Sequence, residues 1–291
     1  MDGMNIVVVF PGQGSQSIGM LSDYAETWPQ VEETFKQASD VLGYDTWDIV
    51  CNGPAEEINK TEITQPIMLA ADIAVMRVMS QQCMLTPMVF AGHSLGEYAA
   101  LVAAQSIDFE DAIKLVSKRG QLMQAAVPEG EGAMAAIIGL PDDPIIHICE
   151  QVSAEVGKPV EAVNFNSPGQ VVIAGSAEAV EKAMVQLKEE GAKRALPLPV
   201  SVPSHSSLMK PAADELAEYL KGVTVNTPQI QVIHNVDAKS HDEPDAIRDA
   251  LAKQLYNPVQ WTHTCLLYTS PSPRDGETHL VCRLLLEKRG G

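Results

Sequence analysis

The chain has 291 residues, 45% of them hydrophobic and 20% charged, a balance that supplies ample core and excludes disordered and collagen-like chains. Thirty-eight acidic against 20 basic side chains leave a net charge of −18, which repels phosphate backbones and anionic lipid headgroups, so neither nucleic acid nor a membrane surface is expected as partner. Five scattered cysteines (Cys51, Cys83, Cys149, Cys265, Cys282) lack the close pairing of zinc or redox sites and read as reduced thiols; no metal is expected, and the location read from them is cytoplasmic.

Met1 to Asn5 carries no basic residue, and the apolar run that follows stops at Pro11, too short for a signal-peptide core. Residues 6–10, Ile-Val-Val-Val-Phe, read as a strand buried in a parallel sheet. A helix is expected over about 23–42 and another over 66–82, then a short strand at 88–91. That strand runs straight into Gly92-His93-Ser94-Leu95-Gly96 and a helix over 97–104. Asp108 is placed to cap the next helix, whose apolar stripe is Phe109, Ala112, Ile113 and Val116 and which reaches Arg119. From 127 to 200 the rhythm changes to strand (133–140), helix after Pro144, strands (160–166 and 170–175), helix (177–190) and strand (192–200), the β-α-β-β-α-β order of a ferredoxin-like unit. A helix at 211–220, a strand at 230–235 and a helix at 245–256 then resume the first pattern. The expected architecture is α/β: a large unit from 1–127 and 200–264, with residues 128–199 inserted as a smaller one.

The segment at 92–96 fits G-x-S-x-G, in which glycines allow strand and helix to approach while a serine on a strained turn presents its hydroxyl above the sheet. The alternative is an ordinary Gly-Ser loop; the strand before and the helix after favour the first reading. A serine needs a base within hydrogen-bond reach. His205, in the polar loop Val202-Pro203-Ser204-His205-Ser206 between a strand and a helix, is the best placed; His93 is expected to point away, and His234 reads as structural. His147, His241, His263 and His279 fall in charged or terminal stretches and read as solvated. The N–H groups of Gln13, flanked by glycines after the first strand, and of Leu95, at a helix start, are candidates for an oxyanion hole, each donor contributing about 3 to 4 kcal/mol to the transition state. A dinucleotide loop at Gly12-x-Gly14 is disfavoured because position 17 is serine. Arg119 is open between a solvated residue near a helix end and a fork-shaped carboxylate binder.

The blocks Phe10-Pro11-Gly12-Gln13-Gly14-Ser15-Gln16, Thr64-Gln65-Pro66, Gly92-His93-Ser94-Leu95-Gly96-Glu97-Tyr98, Arg119-Gly120, 164–170, Pro203-Ser204-His205-Ser206 and Asn257-Pro258-Val259-Gln260-Trp261 resemble, in order, the malonyl-CoA:acyl carrier protein transacylase family. The resemblance covers about residues 4–262. It implies an α/β-hydrolase-like large domain with an inserted ferredoxin-like subdomain, and transfer of malonyl from malonyl-CoA to the thiol of acyl carrier protein in fatty acid synthesis. By the same resemblance Ser94 is the nucleophile, His205 the base, Gln13 and Leu95 the oxyanion hole, and the main-chain carbonyl of Gln254 the group that orients His205. Arg119 would hold the malonyl carboxylate, while Asn166 and Gln65 would line the substrate cleft. No cofactor is implied, and a monomer is expected. A serine hydrolase or thioesterase, a silent binding subunit and an acyltransferase domain of a modular synthase are the alternatives. Lys182, Lys188, Lys193 and Arg194 are candidates for a basic patch facing the acidic carrier. After Thr264 the resemblance stops: 265–275 reads as a translated sequencing adapter, so 265–291 is expected to be an artefactual tail in place of the rest of the large domain.

Overall fold

In the computed structural model the described residues are 6–82, 86–200 and 202–269; Cys83, Cys282, His279, the first five residues and the remainder of the tail lie outside them. The elements run β1 (Ile6–Phe10), α1 (Ser22–Ala25), α2 (Gln30–Leu42), α3 (Thr46–Asn52), α4 (Ala55–Ile58), α5 (Thr61–Gln82), β2 (Pro87–Gly92), α6 (Gly96–Ala103) and α7 (Phe109–Ala126). There follow β3 (Gly132–Ile138), α8 (Asp142–Val156), β4 (Val160–Ser167), β5 (Gln170–Ser176), α9 (Ala177–Glu189) and β6 (Arg194–Pro197). The chain ends its described part with α10 (Lys210–Leu220), β7 (Gln231–His234), β8 (Lys239–Ser240), α11 (Pro244–Gln254) and α12 (Trp261–Thr269).

Two four-stranded sheets form among the described residues. The first has the order β1-β2-β7-β8, with β1, β2 and β7 parallel and β8 antiparallel at the edge. The second, β4-β5-β3-β6, is antiparallel throughout, the strand order of the ferredoxin-like pattern expected from 127–200. Alternation assigns the faces. Val8 and Phe10 enter the main core with α2, α5, α6, α7, α10 and α11, whereas Val7 meets Val89, Ala91 and Ile233 on the other face, against Trp261 and Tyr268 of α12. In β5, Val171 and Ile173 face α8 and α9, and Val172 and Ala174 face away toward Leu198 and Val200.

Several boundaries differ from the sequence reading, for local reasons. The helix expected over 23–42 breaks at Trp28-Pro29, because proline lacks the N–H a helix interior needs and disfavours helical backbone before it. The helix expected from 66 begins at Thr61; Pro66 sits early in it, among buried Thr64, Gln65 and Ile67. This helix is long and apolar enough to cross a membrane by composition, and it lies within the main core. The strand expected over 192–200 shortens to Arg194–Pro197, since Pro197 and Pro199 cannot donate to a ladder. Asp108 caps α7 as expected, its carboxylate accepting the Glu110 N–H at 3.0 Å.

The two sheets meet along the segment before α12. Val259 donates to the Val163 carbonyl at 2.8 Å and accepts from the Phe165 N–H at 3.1 Å, so the loop after α11 extends the edge of β4. That contact brings the C-terminal end of β4, with Asn166, beside the turn that follows β2.

Candidate active site

The site is built at the end of β2. A Cβ on Gly92 would lie 1.9 Å from the Gly96 carbonyl carbon, and one on Gly96 would lie 2.2 Å from the Phe10 oxygen, so strand, turn and helix can close up only with glycine at both positions. Between them Ser94 takes φ 52°, in the left-handed region that costs a non-glycine residue of order 1–3 kcal/mol. Asn235, just past β7, braces this turn: its Oδ1 accepts the Ser94 N–H at 2.6 Å and its Nδ2 donates to the Gly92 carbonyl at 2.6 Å.

Ser94 Oγ lies 2.8 Å from His205 Nε2. His205 also has positive φ, 66°, and its N–H is tied to the Leu255 carbonyl at 2.9 Å. Its Nδ1 is 2.7 Å from the main-chain carbonyl of Gln254. A carbonyl only accepts, so Nδ1 carries the proton, which leaves Nε2 as an acceptor for the serine hydroxyl. Burial, reinforced by the positive charge of Arg119, pushes the His205 pKa down to about 3, with the Gln254 carbonyl working in the opposite direction.

Arg119 is 1% exposed, which overturns the solvated reading. Its Nη2 donates to Ser94 Oγ at 3.2 Å and to Gln254 Oε1 at 2.9 Å, and the guanidinium lies 5.3 Å from the Tyr98 ring centre. No carboxylate pairs with it among the described residues, and its Nε lacks a partner. Burial lowers its pKa, opposed first by the neighbouring Tyr98 hydroxyl and then by the acidic Glu97.

The loop bearing Gln13 packs on the same turn: a Cβ on Gly12 would meet the His93 carbonyl oxygen at 2.4 Å. Neither the Gln13 nor the Leu95 N–H has an acceptor among the described residues, and the Leu95 N–H begins α6. His93 turns away from the serine, as expected; its Nε2 is 2.8 Å from Asn166 Oδ1, and its ring packs on Trp261. Gln65 is buried, its Nε2 donating to the Met123 sulfur at 3.4 Å and its Oε1 unpartnered. Of the four basic residues considered, Lys182 pairs with Glu155 at 2.6 Å, and Lys188 donates to the Lys193 carbonyl at 3.2 Å.

Sequence reasoning missed the polar layer beneath the turn. Glu97, His234, Asn235 and the Gln254 side chain are all fully buried and bonded to one another. Glu97 stood in the recognised block and His234 was read as structural, which it is: its Nδ1 donates to Glu97 Oε1 at 2.7 Å. The remaining histidines divide differently from expectation. His241 is partly buried and 2.9 Å from Asp237 Oδ2 rather than freely solvated, while His147 and His263 are exposed.

Known proteins resemble this chain over most of its length. The profile of the family described as "acyl transferase domain" matches residues 7–274. The malonyl CoA-acyl carrier protein transacylase of Haemophilus influenzae is 62% identical over 258 residues, 88% of this chain and 82% of that protein. Among solved structures, an acyl carrier protein S-malonyltransferase from Vibrio cholerae superposes with a TM-score of 0.86 at 59% identity, covering 89% of this chain and 84% of the other. A malonyl-transacylase in complex with its type II PKS acyl-carrier protein gives 0.89 at 57% identity, covering 91% and 85%. The chain belongs to the acyl transferase domain family, within its malonyl-CoA:acyl carrier protein transacylase branch.

Proposed function

We propose that this chain moves a malonyl group from malonyl-CoA to the phosphopantetheine thiol of acyl carrier protein, through a malonyl ester on Ser94, in fatty acid biosynthesis. The observation that carries the reading is the position of one hydroxyl oxygen: Ser94 Oγ sits between a neutral imidazole nitrogen at 2.8 Å and a buried, carboxylate-free guanidinium at 3.2 Å. The first contact makes an alkoxide accessible; the second gives the acyl chain's far carboxylate a partner that holds it by two parallel bonds.

In the first half-reaction Ser94 Oγ bonds to the thioester carbonyl carbon as His205 Nε2 takes its proton. The oxyanion is assigned to the Gln13 and Leu95 N–H groups. His205 returns the proton to the departing CoA sulfur as the C–S bond breaks, leaving malonyl-Ser94. In the second half the carrier thiol gives its proton to His205, its sulfur attacks the ester, and the serine oxygen leaves with the proton returned. The Gln254 carbonyl keeps the Nδ1 proton in place through both halves. All groups used belong to this chain, and the proposal includes no cofactor.

Gln65 is assigned to the wall of the acyl pocket. Asn166, whose oxygen is engaged by His93, offers its amide nitrogen to the acyl or pantetheine chain. The cleft lies between the unit of 1–127 with 200–264 and the inserted 128–199, and the enzyme is read as a cytoplasmic monomer. Lys188, Lys193 and Arg194 are assigned to the carrier's acidic surface, and Lys182 is left out because Glu155 neutralises it.

The test is transfer of radiolabelled malonyl from malonyl-CoA with and without holo-acyl carrier protein. Label on the carrier thiol, with slow release of free malonate in its absence, is expected. Release of malonate that is unaffected by carrier would assign the chain to the hydrolases instead.

A further inference from the structure

The Gln254 side chain connects two parts of the site that its backbone does not. A primary amide can sit in either of two orientations related by a half-turn, and its neighbours decide which. Here Nε2 faces acceptors: Glu97 Oε2 at 2.8 Å, the Ser94 carbonyl at 3.0 Å and Asn235 Oδ1 at 3.5 Å. Oε1 faces the donor Arg119 Nη2 at 2.9 Å. The reverse orientation would set oxygen against a carboxyl group and NH2 against a guanidinium.

Glu97 is the fixed point of this arrangement. Its side chain is fully buried, its Oε1 accepts from His234 Nδ1 at 2.7 Å, and its Oε2 accepts from the Asn235 N–H at 2.8 Å as well as from Gln254. Every contact uses it as an acceptor. The same carboxylate, one amide removed from Arg119, is too far to form an ion pair with it but fixes the group that aims it.

We propose that Glu97 is a positioning residue for acyl-group selection: by locking the Gln254 amide with Oε1 toward Arg119, it holds the guanidinium at Ser94 while leaving its charge open to an incoming carboxylate. An acidic residue in direct contact with Arg119 would hold it equally well but would compete with the substrate. A neutral amide oxygen directs the fork without cancelling it. The proposal rests on the assignment of the malonyl carboxylate to Arg119.

The experiment compares initial rates of Ser94 acylation by malonyl-CoA and acetyl-CoA in the full chain and in Glu97→Gln, Gln254→Met and Arg119→Ala. Glu97→Gln is expected to lose malonyl acylation about tenfold more than acetyl acylation, chiefly through KM for malonyl-CoA, because an amide at 97 lets the Gln254 amide turn over. Gln254→Met keeps the carbonyl that orients His205 and is expected to show the same selective loss; the double variant should show no further loss of selectivity beyond Gln254→Met alone. Equal losses for the two acyl groups in Glu97→Gln, or in Gln254→Met should the first variant not fold, would overturn the relay. If Arg119→Ala relaxes selectivity and neither of the others does, the relay alone fails. If Arg119→Ala keeps the malonyl preference, the Arg119 assignment fails and the relay with it.

Discussion

The two sheets of this molecule solve opposite problems. Around the antiparallel sheet of β3 to β6 the buried side chains are apolar (Ala135, Ile137, Ile145, Val171, Ile173, Leu187) apart from Asn164 on β4, where the pairing with β5 shifts register. Packed around the turn after β2, at the end of the parallel sheet, lie Glu97, Arg119, His205, His234, Asn235 and Gln254, all buried, together with two of the non-glycine residues at positive φ, Ser94 and His205. Polar burial and backbone strain both cost stability, and at this turn the two coincide. The antiparallel sheet supplies a wall; the parallel sheet, backed by the larger apolar core, carries the polar and strained geometry of the site.

The contrast would be broken most directly at the nucleophile. Ser94→Ala is expected to lower malonyl transfer about 10³-fold or more while relieving nothing in the antiparallel core, measured by transfer rate and thermal midpoint together. Next in size, Arg119→Ala should reduce malonyl acylation about 10²-fold and bring malonyl and acetyl thioesters closer to parity in a competition assay; unchanged selectivity would return Arg119 to a structural role.

A pH profile sharpens the same contrast. Because burial holds the His205 pKa down to about 3, the base stays neutral through mild acid, so Ser94 acylation should stay level well below the ordinary imidazole value of 6.5. A midpoint near 6.5 would mean the imidazole is solvated. The linked stability runs the other way: between 6.5 and about 3 the unfolded chain binds a proton that the folded site refuses, so stability falls as the pH drops through that window. His205→Asn should remove that part of the slope.

On the other side of the comparison, Ile137→Ala empties a fully buried position between β3 and its helices and should cost about 2–4 kcal/mol in denaturant unfolding, with Ser94 acylation unchanged while the protein is folded. The smallest effect is expected at the surface. Reversing charge at Lys193 and Arg194 together should raise KM for carrier protein about threefold at low salt, and the difference should vanish as salt is added.

How much of this was legible beforehand follows the range of the interactions. Ser94 and its turn were readable because Gly92 and Gly96 sit two residues either side of it and the strand and helix are adjacent in the chain. His205 was found from its loop, more than a hundred residues away, only because few histidines occupy such a place. The ferredoxin-like order showed in the alternation of short apolar runs, although the last strand was overextended past prolines that end it. Glu97, Asn235 and the side chain of Gln254 left no comparable mark. All but one of their side-chain bonds join positions 135 to 160 residues apart, and a buried glutamate on α6 has the same local pattern as one facing water. Arg119 was ambiguous for the same reason until its burial was seen.

In the proposed mechanism Ser94 carries the malonyl group between the two thiols. Intact-protein mass spectrometry after brief exposure to malonyl-CoA, followed by peptide mapping and a chase with holo-acyl carrier protein, tests it in one experiment. A single malonyl adduct on Ser94 that disappears as malonyl-carrier forms is the expected result. Transfer without such an adduct, or an adduct mapped to another residue, would contradict it.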